Sequence, residues 1–410
     1  MQTLAARFRA AMASRQYAIA RSLAEQAMEF VPGNPTILAD YALCLMREER
    51  HDDAYRVYRV IDALPAERQR LVAPTWIDGF AEVCGWLGRH DEVRRYGHRS
   101  LANADVRVRG HRRWMVPPTA PAPFDPSRPE RNVIAYSVFG ANPRYCETVV
   151  MNARVAPELF PGWTCRVYLD ESVPDHVRER LYDAGAQVIE VDELTRRTIP
   201  GTMWRFLVAD DPAVRRFMVR DADALLSERE VSAIAQWLAS GRWFHHMRDY
   251  FTHTELLLAG MWAGCTGVFP ALGPLMREYA ASHPDARRFT DQHFLRETLW
   301  PTIRDSVLSH DELFGFHDAR PFPPHDPVRW HTATFHVGSN ASYRRVGGPS
   351  ALDDDALQAV FITRGDAPPL RYAARVQDGQ WSLDLPFFLI DEFEAGTTRI
   401  DVSIGKKTLA

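Results

Sequence analysis

Between Trp114 and Asn132 the chain reads WMVPPTAPAPFDPSRPERN. Proline at this density removes backbone donors and favours extended backbone, so neither a helix nor a central strand can run through the segment. It is the clearest boundary in the sequence, and the two sides differ in texture. We place a helical region at 1–110, a proline-rich linker at 111–132, an α/β domain at 133–348 and a small β-rich region at 349–410.

Before the boundary the chain echoes itself: RQYAIARSLAEQAMEFVPGNP from Arg15, ERHDDAYRVYRVIDALPAE from Glu49 and GRHDEVRRYGHRSLANAD from Gly88. Tyr17 with Ala20 recurs as His51 with Ala54, a step of 34, and again as His90 with Val93 after a longer insertion. Small residues where helices must approach, and a proline after the second helix, resemble tetratricopeptide repeats. About three helical hairpins fit; the plain alternative is a helical bundle.

After the boundary, short apolar strands alternate with helical segments: VIAYSV (Val133–Val138), CETVVMNARVAPEL, CRVYLD (Cys165–Asp170), DHVRERLYDAG and QVIEV. Such alternation predicts a mostly parallel sheet covered by helices, with ligands at the carboxyl ends of its strands. Loops starting at Phe139 and Asp170 then rim the site. Past Gly348, two alternating runs flank Asp378-Gly379, a hairpin turn signal.

Composition excludes several classes. The 410 residues are 46% hydrophobic with a formal net charge of -4, which gives no footprint for nucleic acid or anionic membrane. Five scattered cysteines without a C-x-x-C spacing indicate neither a disulfide framework nor a zinc site, and fit a reducing cytoplasm. The N-terminus lacks a continuous apolar signal region. The uncharged stretch Leu256 to Met276 is broken by Gly260, Gly264, Gly267, Pro270, Gly273 and Pro274, so it reads as buried strand and loop, not as a transmembrane segment. Lysine occurs only at Lys406 and Lys407, so arginine, backbone or metal must make any phosphate contact.

In RRFMVRDADALLSERE, Arg215 to Glu230, a buried strand ends at Val219 and presents Asp221 and Asp223 at alternate positions. In extended backbone these project to one side, where two carboxylates suit a hard cation, Mn²⁺ or Mg²⁺, that also takes substrate phosphate oxygens. A solvated turn is the bland alternative. SERE, Ser227 to Glu230, reads as a capping box that opens a helix through Val231, Ile234 and Leu238.

Taken in order, these pieces resemble the nucleotide-sugar glycosyltransferases of GT-A type, whose Asp-x-Asp follows a strand. Arg205 in TMWRFLVAD, Asp291 and Gln292 in TDQHFLRE, and His336 in FHVGSN are similar to the donor arginine, Asp-Gln motif and metal histidine of the retaining branch that includes lipopolysaccharide galactosyltransferases and glycogenin. HHMRDYFTHT and LLLAGMWAG more closely resemble bacterial capsule or surface-polysaccharide transferases. The third acid of the Asp-Gln motif is here His293, and the branch's diphosphate lysine is missing.

The resemblance implies a GT-A Rossmann-like mixed sheet, and a metal held by Asp221, Asp223 and His336. Asp249, Asp291 and Gln292 would line the catalytic sugar pocket. Phe139, Arg144, Tyr145, Arg205, Arg220, Gly260, Met261, Trp262 and Arg344 would contact the donor. It further implies a cytoplasmic enzyme, with the inner membrane face as a second location, moving sugar to a glycan, lipid-linked or protein acceptor. The repeats would offer a surface for a partner protein. The rivals are a scaffold carrying an inactive transferase domain and a sugar-phosphate nucleotidyltransferase.

Overall fold

The computed structural model describes residues 2–284, 289–330, 332 and 335–402. These divide into two compact units, one made of residues 1–110 with Asp249–Leu256 and Asp311–Arg320, the other of His111–Arg248, Leu257–His310 and the chain from Pro321.

The first unit is helical: α1 (Gln2–Ala13), α2 (Tyr17–Phe30), α3 (Pro35–Arg47), α4 (His51–Asp62), α5 (Ala66–Gln69), α6 (Trp76–Trp86) and α7 (His90–Val108). The echoed segments mark one local structure used three times. A left-handed residue, Arg15, Glu49 or Gly88 (φ 55°, 60° and 67°), ends a helix. The next N–H then reaches back to a carbonyl five residues earlier: Gln16 to Ala11, Arg50 to Leu45 and Arg89 to Cys84. This is a Schellman closure. The partner helices start at Tyr17, His51 and His90, and the echoed Ala20, Ala54 and Val93 are buried where each hairpin closes.

The two later segments belong to this unit through aromatic side chains. Phe251 lies over Gly85, where an added Cβ would come within 2.1 Å of the ring, and Phe314 lies over Gly97 at the same distance. Asp311 Oδ1 fixes the second segment by accepting from the N–H groups of Leu313 and Phe314 at 2.9 and 2.8 Å.

The second unit holds a seven-stranded mixed sheet of β1 (Asn132–Val138), β2 (Thr164–Leu169), β3 (Gln187–Glu190), β4 (Arg216–Arg220), β5 (Phe244–Arg248), β6 (Met261–Cys265) and β7 (Val307–Asp311), in the order β3-β2-β1-β4-β6-β5-β7. Strands β3, β2, β1 and β4 are parallel, and β6 runs antiparallel to both β4 and β5. Helices α8 (Pro143–Leu159), α9 (Asp175–Asp183), α10 (Glu193–Thr198), α11 (Glu228–Ala239), α12 (Leu272–Ser282) and α13 (Thr290–Phe294) accompany it. Buried residues run through β1 and β4 without alternation, as expected for strands covered on both faces.

A second sheet of β8 (Arg344–Pro349), β9 (Leu357–Arg364), β10 (Leu370–Gln377), β11 (Gln380–Leu385) and β12 (Thr398–Val402) is ordered β12-β9-β10-β11-β8. Asp378 and Gly379, at φ 52° and 67°, turn β10 into β11 as the sequence indicated. Its Val360, Ile362, Tyr372 and Leu383 share one core with Ile134, Val149, Val167 and Met218 of the α/β layer. Glu147 on α8, fully buried, accepts from both Nη atoms of Arg180 at 2.7 and 2.8 Å and from the hydroxyl of Tyr372.

Among the described residues no helix is long and apolar enough to cross a membrane, and the stretch from Leu256 becomes loop, β6 and the start of α12. SERE is not a capping box: Ser227 precedes α11 without a side-chain cap bond, and the Glu230 carboxylate that would reach back to it is taken by Arg220.

Candidate active site

A cleft of about 180 Å³ opens at the carboxyl ends of β1 and β4, lined by Ser137, Val138, Phe139, Tyr145, Thr202, Arg205, Asp221, Ala222, Asp223 and Asp291. Parallel β1 and β4 end side by side, so the loops beginning at Phe139 and Asp221 must rise together. The 3₁₀ helix Gly201–Asp210 is tied to β1 by the Arg205 N–H, which donates to Ser137 Oγ at 2.8 Å. The acid-bearing turn is clamped from below. Asn152, fully buried on α8, donates to the Ala224 carbonyl at 2.8 Å and accepts from the Leu226 N–H at 3.0 Å.

Each of the paired acids has an arginine. Arg205 Nη1 donates to Asp221 Oδ1 and to the Arg220 carbonyl at 2.9 Å, and its Nη2 lies 3.5 Å from Asp291 Oδ2. Arg144, in the first turn of α8, donates through Nη2 to Asp223 Oδ2. Burial pushes the Asp223 carboxyl up from the usual range, and the charge of Asp221 adds to this against the pull of Arg144. Burial also raises Asp291, with Arg205 opposing. Gln292 faces the other way: with its amide oriented by its neighbours, it donates to the Leu257 carbonyl at 3.1 Å and accepts from the Ala259 N–H at 3.2 Å. It holds the loop before β6.

Gly260 on that loop lets the Asp221 carboxylate lie against the backbone, since a Cβ there would sit 1.9 Å from Asp221 Oδ2. The late segment also reaches the acids. Ala224 bridges to Asn340, the Ala341 N–H donates to the Asp223 carbonyl at 2.7 Å, and Gly338 lies against the thioether of Met261. Phe139 and Tyr145 present partly exposed rings at the rim.

Several expected donor contacts fall elsewhere. Arg220 is buried, and its guanidinium bonds Glu230 and the Trp262 carbonyl at 3.0 Å, so it is a core ion pair on the far side of β4. Trp262 is fully buried, its ring 5.1 Å from that of Phe217. Arg344 stands exposed on β8 and pairs with Glu394. Asp249 belongs to the helical unit, its N–H donating to His253 Nδ1 at 3.1 Å.

His336 lies in the turn before Asn340, its N–H donating to Ser339 Oγ at 3.3 Å. Among the described residues no group of three or more His, Cys, Asp or Glu side chains is placed to hold an ion together. The histidine therefore does not complete a three-residue set with the paired acids. What remains is a two-carboxylate oxygen donor set at a cleft, which fits Mg²⁺ or Mn²⁺ when substrate phosphates and water fill the other positions. Asn152, and Tyr343, whose ring the Arg144 guanidinium covers, escaped the sequence reading. An asparagine among apolar helix positions was the one signal for Asn152; Tyr343 carried none.

No protein-family model and no curated protein matches the chain. Among solved structures it is similar to a mutant O-GlcNAc transferase of Thermobaculum terrenum, at 17% identity and a TM-score of 0.25, over 44% of this chain and 34% of that one. The chain thus spans about a third of that structure, and a likeness of this degree defines neither fold nor activity.

Proposed function

We propose that the second unit is a GT-A type glycosyltransferase that moves sugar from a nucleotide-sugar donor with the aid of Mn²⁺ or Mg²⁺. The observation that carries this reading is the convergence of Arg205, Asp221, Asp223 and Asp291, from separate chain segments, on one cleft at the carboxyl ends of β1 and β4. Parallel strands β3-β2-β1-β4 followed by antiparallel β6 also support it.

Asp221 and Asp223 would hold the cation, which when bound supplies charge neutralisation for the departing diphosphate. Arg205 orients Asp221 and Asp291 and offers its remaining N–H to sugar or phosphate oxygens. Asp291, buried and short of water, is placed to accept from a sugar hydroxyl. Phe139 and Tyr145 would flank the base. The first unit, with its three like-built hairpins, reads as a tetratricopeptide-like domain that binds the acceptor or a partner protein. A role in surface polysaccharide or glycoconjugate synthesis follows from the sequence resemblance alone.

Thermal shift of the full chain with nucleoside diphosphates, each with and without Mn²⁺, tests the donor site. Stabilisation by one diphosphate that requires metal and disappears in Asp223→Asn is expected. Equal shifts without metal would count against it.

A further inference from the structure

The two arginines on the paired acids are held in different ways, and on the donor-site reading above the difference has a use. Arg205 is 4% exposed and engages Asp221, the Arg220 carbonyl and Asp291 together. Arg144 gives a single nitrogen, Nη2, to Asp223, and its buried Nε has no hydrogen-bond partner among the described residues. Its guanidinium carbon lies 4.1 Å from the centre of the Tyr343 ring and 5.2 Å from that of Tyr145. Contacts with ring faces hold a guanidinium without using its in-plane donors.

We propose that Arg144 is a charge latch on the donor site. In the metal-free chain it neutralises Asp223; when a divalent cation takes that carboxylate, the freed guanidinium binds the diphosphate that accompanies the cation. Guanidinium and cation need the same carboxylate lone pairs, so Arg144 opposes metal binding when no anion is present. Once a diphosphate arrives, forked donation to its oxygens favours the complex of all three. Metal and diphosphate then bind cooperatively, and linkage makes the effect reciprocal. Among the described residues, Arg144 is well placed for this, since it holds Asp223 through one nitrogen alone. Arg344 and Arg345, on β8 of the second sheet, are paired with Glu394 and Asp384.

The test uses the full chain, with Mn²⁺ binding followed by the loss of its free-ion paramagnetic resonance signal and inorganic pyrophosphate binding followed by calorimetry in Mg²⁺. Arg144→Met should bind Mn²⁺ alone on the order of tenfold more tightly and pyrophosphate about tenfold more weakly, a change of opposite sign that general damage does not produce. Arg144→Lys keeps the charge but loses the fork, and should restore part of the pyrophosphate affinity; it carries the test if the methionine variant does not fold. Unchanged or weaker Mn²⁺ binding in a folded Arg144→Met would overturn the latch and leave the donor site standing. A wild-type chain that binds neither probe would overturn the donor-site reading, and the latch with it.

Discussion

The Arg205 guanidinium spans two carboxylates from distant parts of the chain, bonding Asp221 through Nη1 and standing 3.5 Å from Asp291 through Nη2. Asp291 is buried and its carboxyl is raised by that burial, with Arg205 as the opposing charge. Removing the arginine leaves a buried acid without its cation, which costs about 3–5 kcal/mol where pairs are fully buried. Because Asp221 is half exposed, we expect Arg205→Met to lose about 2–3 kcal/mol in urea unfolding, by the same comparison. Arg205→Lys should lose less than half of that while still impairing transfer.

Glu147 joins α8, α9 and β10 through Arg180 and Tyr372. Burial alone would raise its carboxyl, but Arg180 prevails and holds it below the usual range. Glu147→Gln should destabilise the second unit by about 3 kcal/mol or more, because Arg180 is left without its counter-charge. Chemical denaturation followed by tryptophan fluorescence measures this. Glu147→Gln combined with Arg180→Met should recover part of the loss.

In the helical unit, burial pushes the Asp78 carboxyl up to about 7, the Ser100 hydroxyl opposes this, and Glu255 adds repulsion while Arg107 and the Thr254 side chain pull the other way. The sign follows from proton uptake. The folded chain keeps a proton that the unfolded chain releases above its ordinary value near 4, so stability is full below about pH 4 and falls as pH rises through about 7. Helical circular dichroism on urea titration should show a loss of a few kcal/mol at most between about pH 5 and 8, and Asp78→Asn should flatten that slope. A wild-type profile that rises over the same interval would contradict the assignment.

The helical unit includes Asp249–Leu256 and Asp311–Arg320, whose Phe251 and Phe314 lie on Gly85 and Gly97. A fragment beginning at Arg131 therefore lacks the helices that cover those rings. It should aggregate on purification, and Phe251→Ser with Phe314→Ser should improve its recovery. A wild-type fragment that stays monomeric and melts like the full chain would show that the helices are dispensable to the rest.

What the sequence disclosed follows from how far each signal reaches. Strand-helix alternation, the Asp378-Gly379 turn and the hairpin echo depend on neighbours a few residues apart, and all appear in the fold. The convergence of Arg205, Asp221, Asp223 and Asp291 could be proposed because the order of motifs stood in for distance. Arg220 misled because a strand residue beside two acids can point away from them, into a core pair with Glu230. That same pair removed the glutamate from the expected capping box. Trp262 carried no sign of which face of β6 it would occupy. The discontinuous helical unit was invisible, since RDYFTHT reads as a site motif and nothing in 311–320 reports that Phe314 needs cover.

The most direct measurement of the central claim is release of nucleoside diphosphate from a panel of nucleotide sugars by the full chain, in Mn²⁺ and in EDTA, for wild type and Asp223→Asn. Release from at least one donor is expected, requiring metal and falling by a factor of about a hundred or more in the variant, as when an essential transition-state contact is lost. Release at the same rate in EDTA, or undiminished in a folded Asp223→Asn protein, would contradict it.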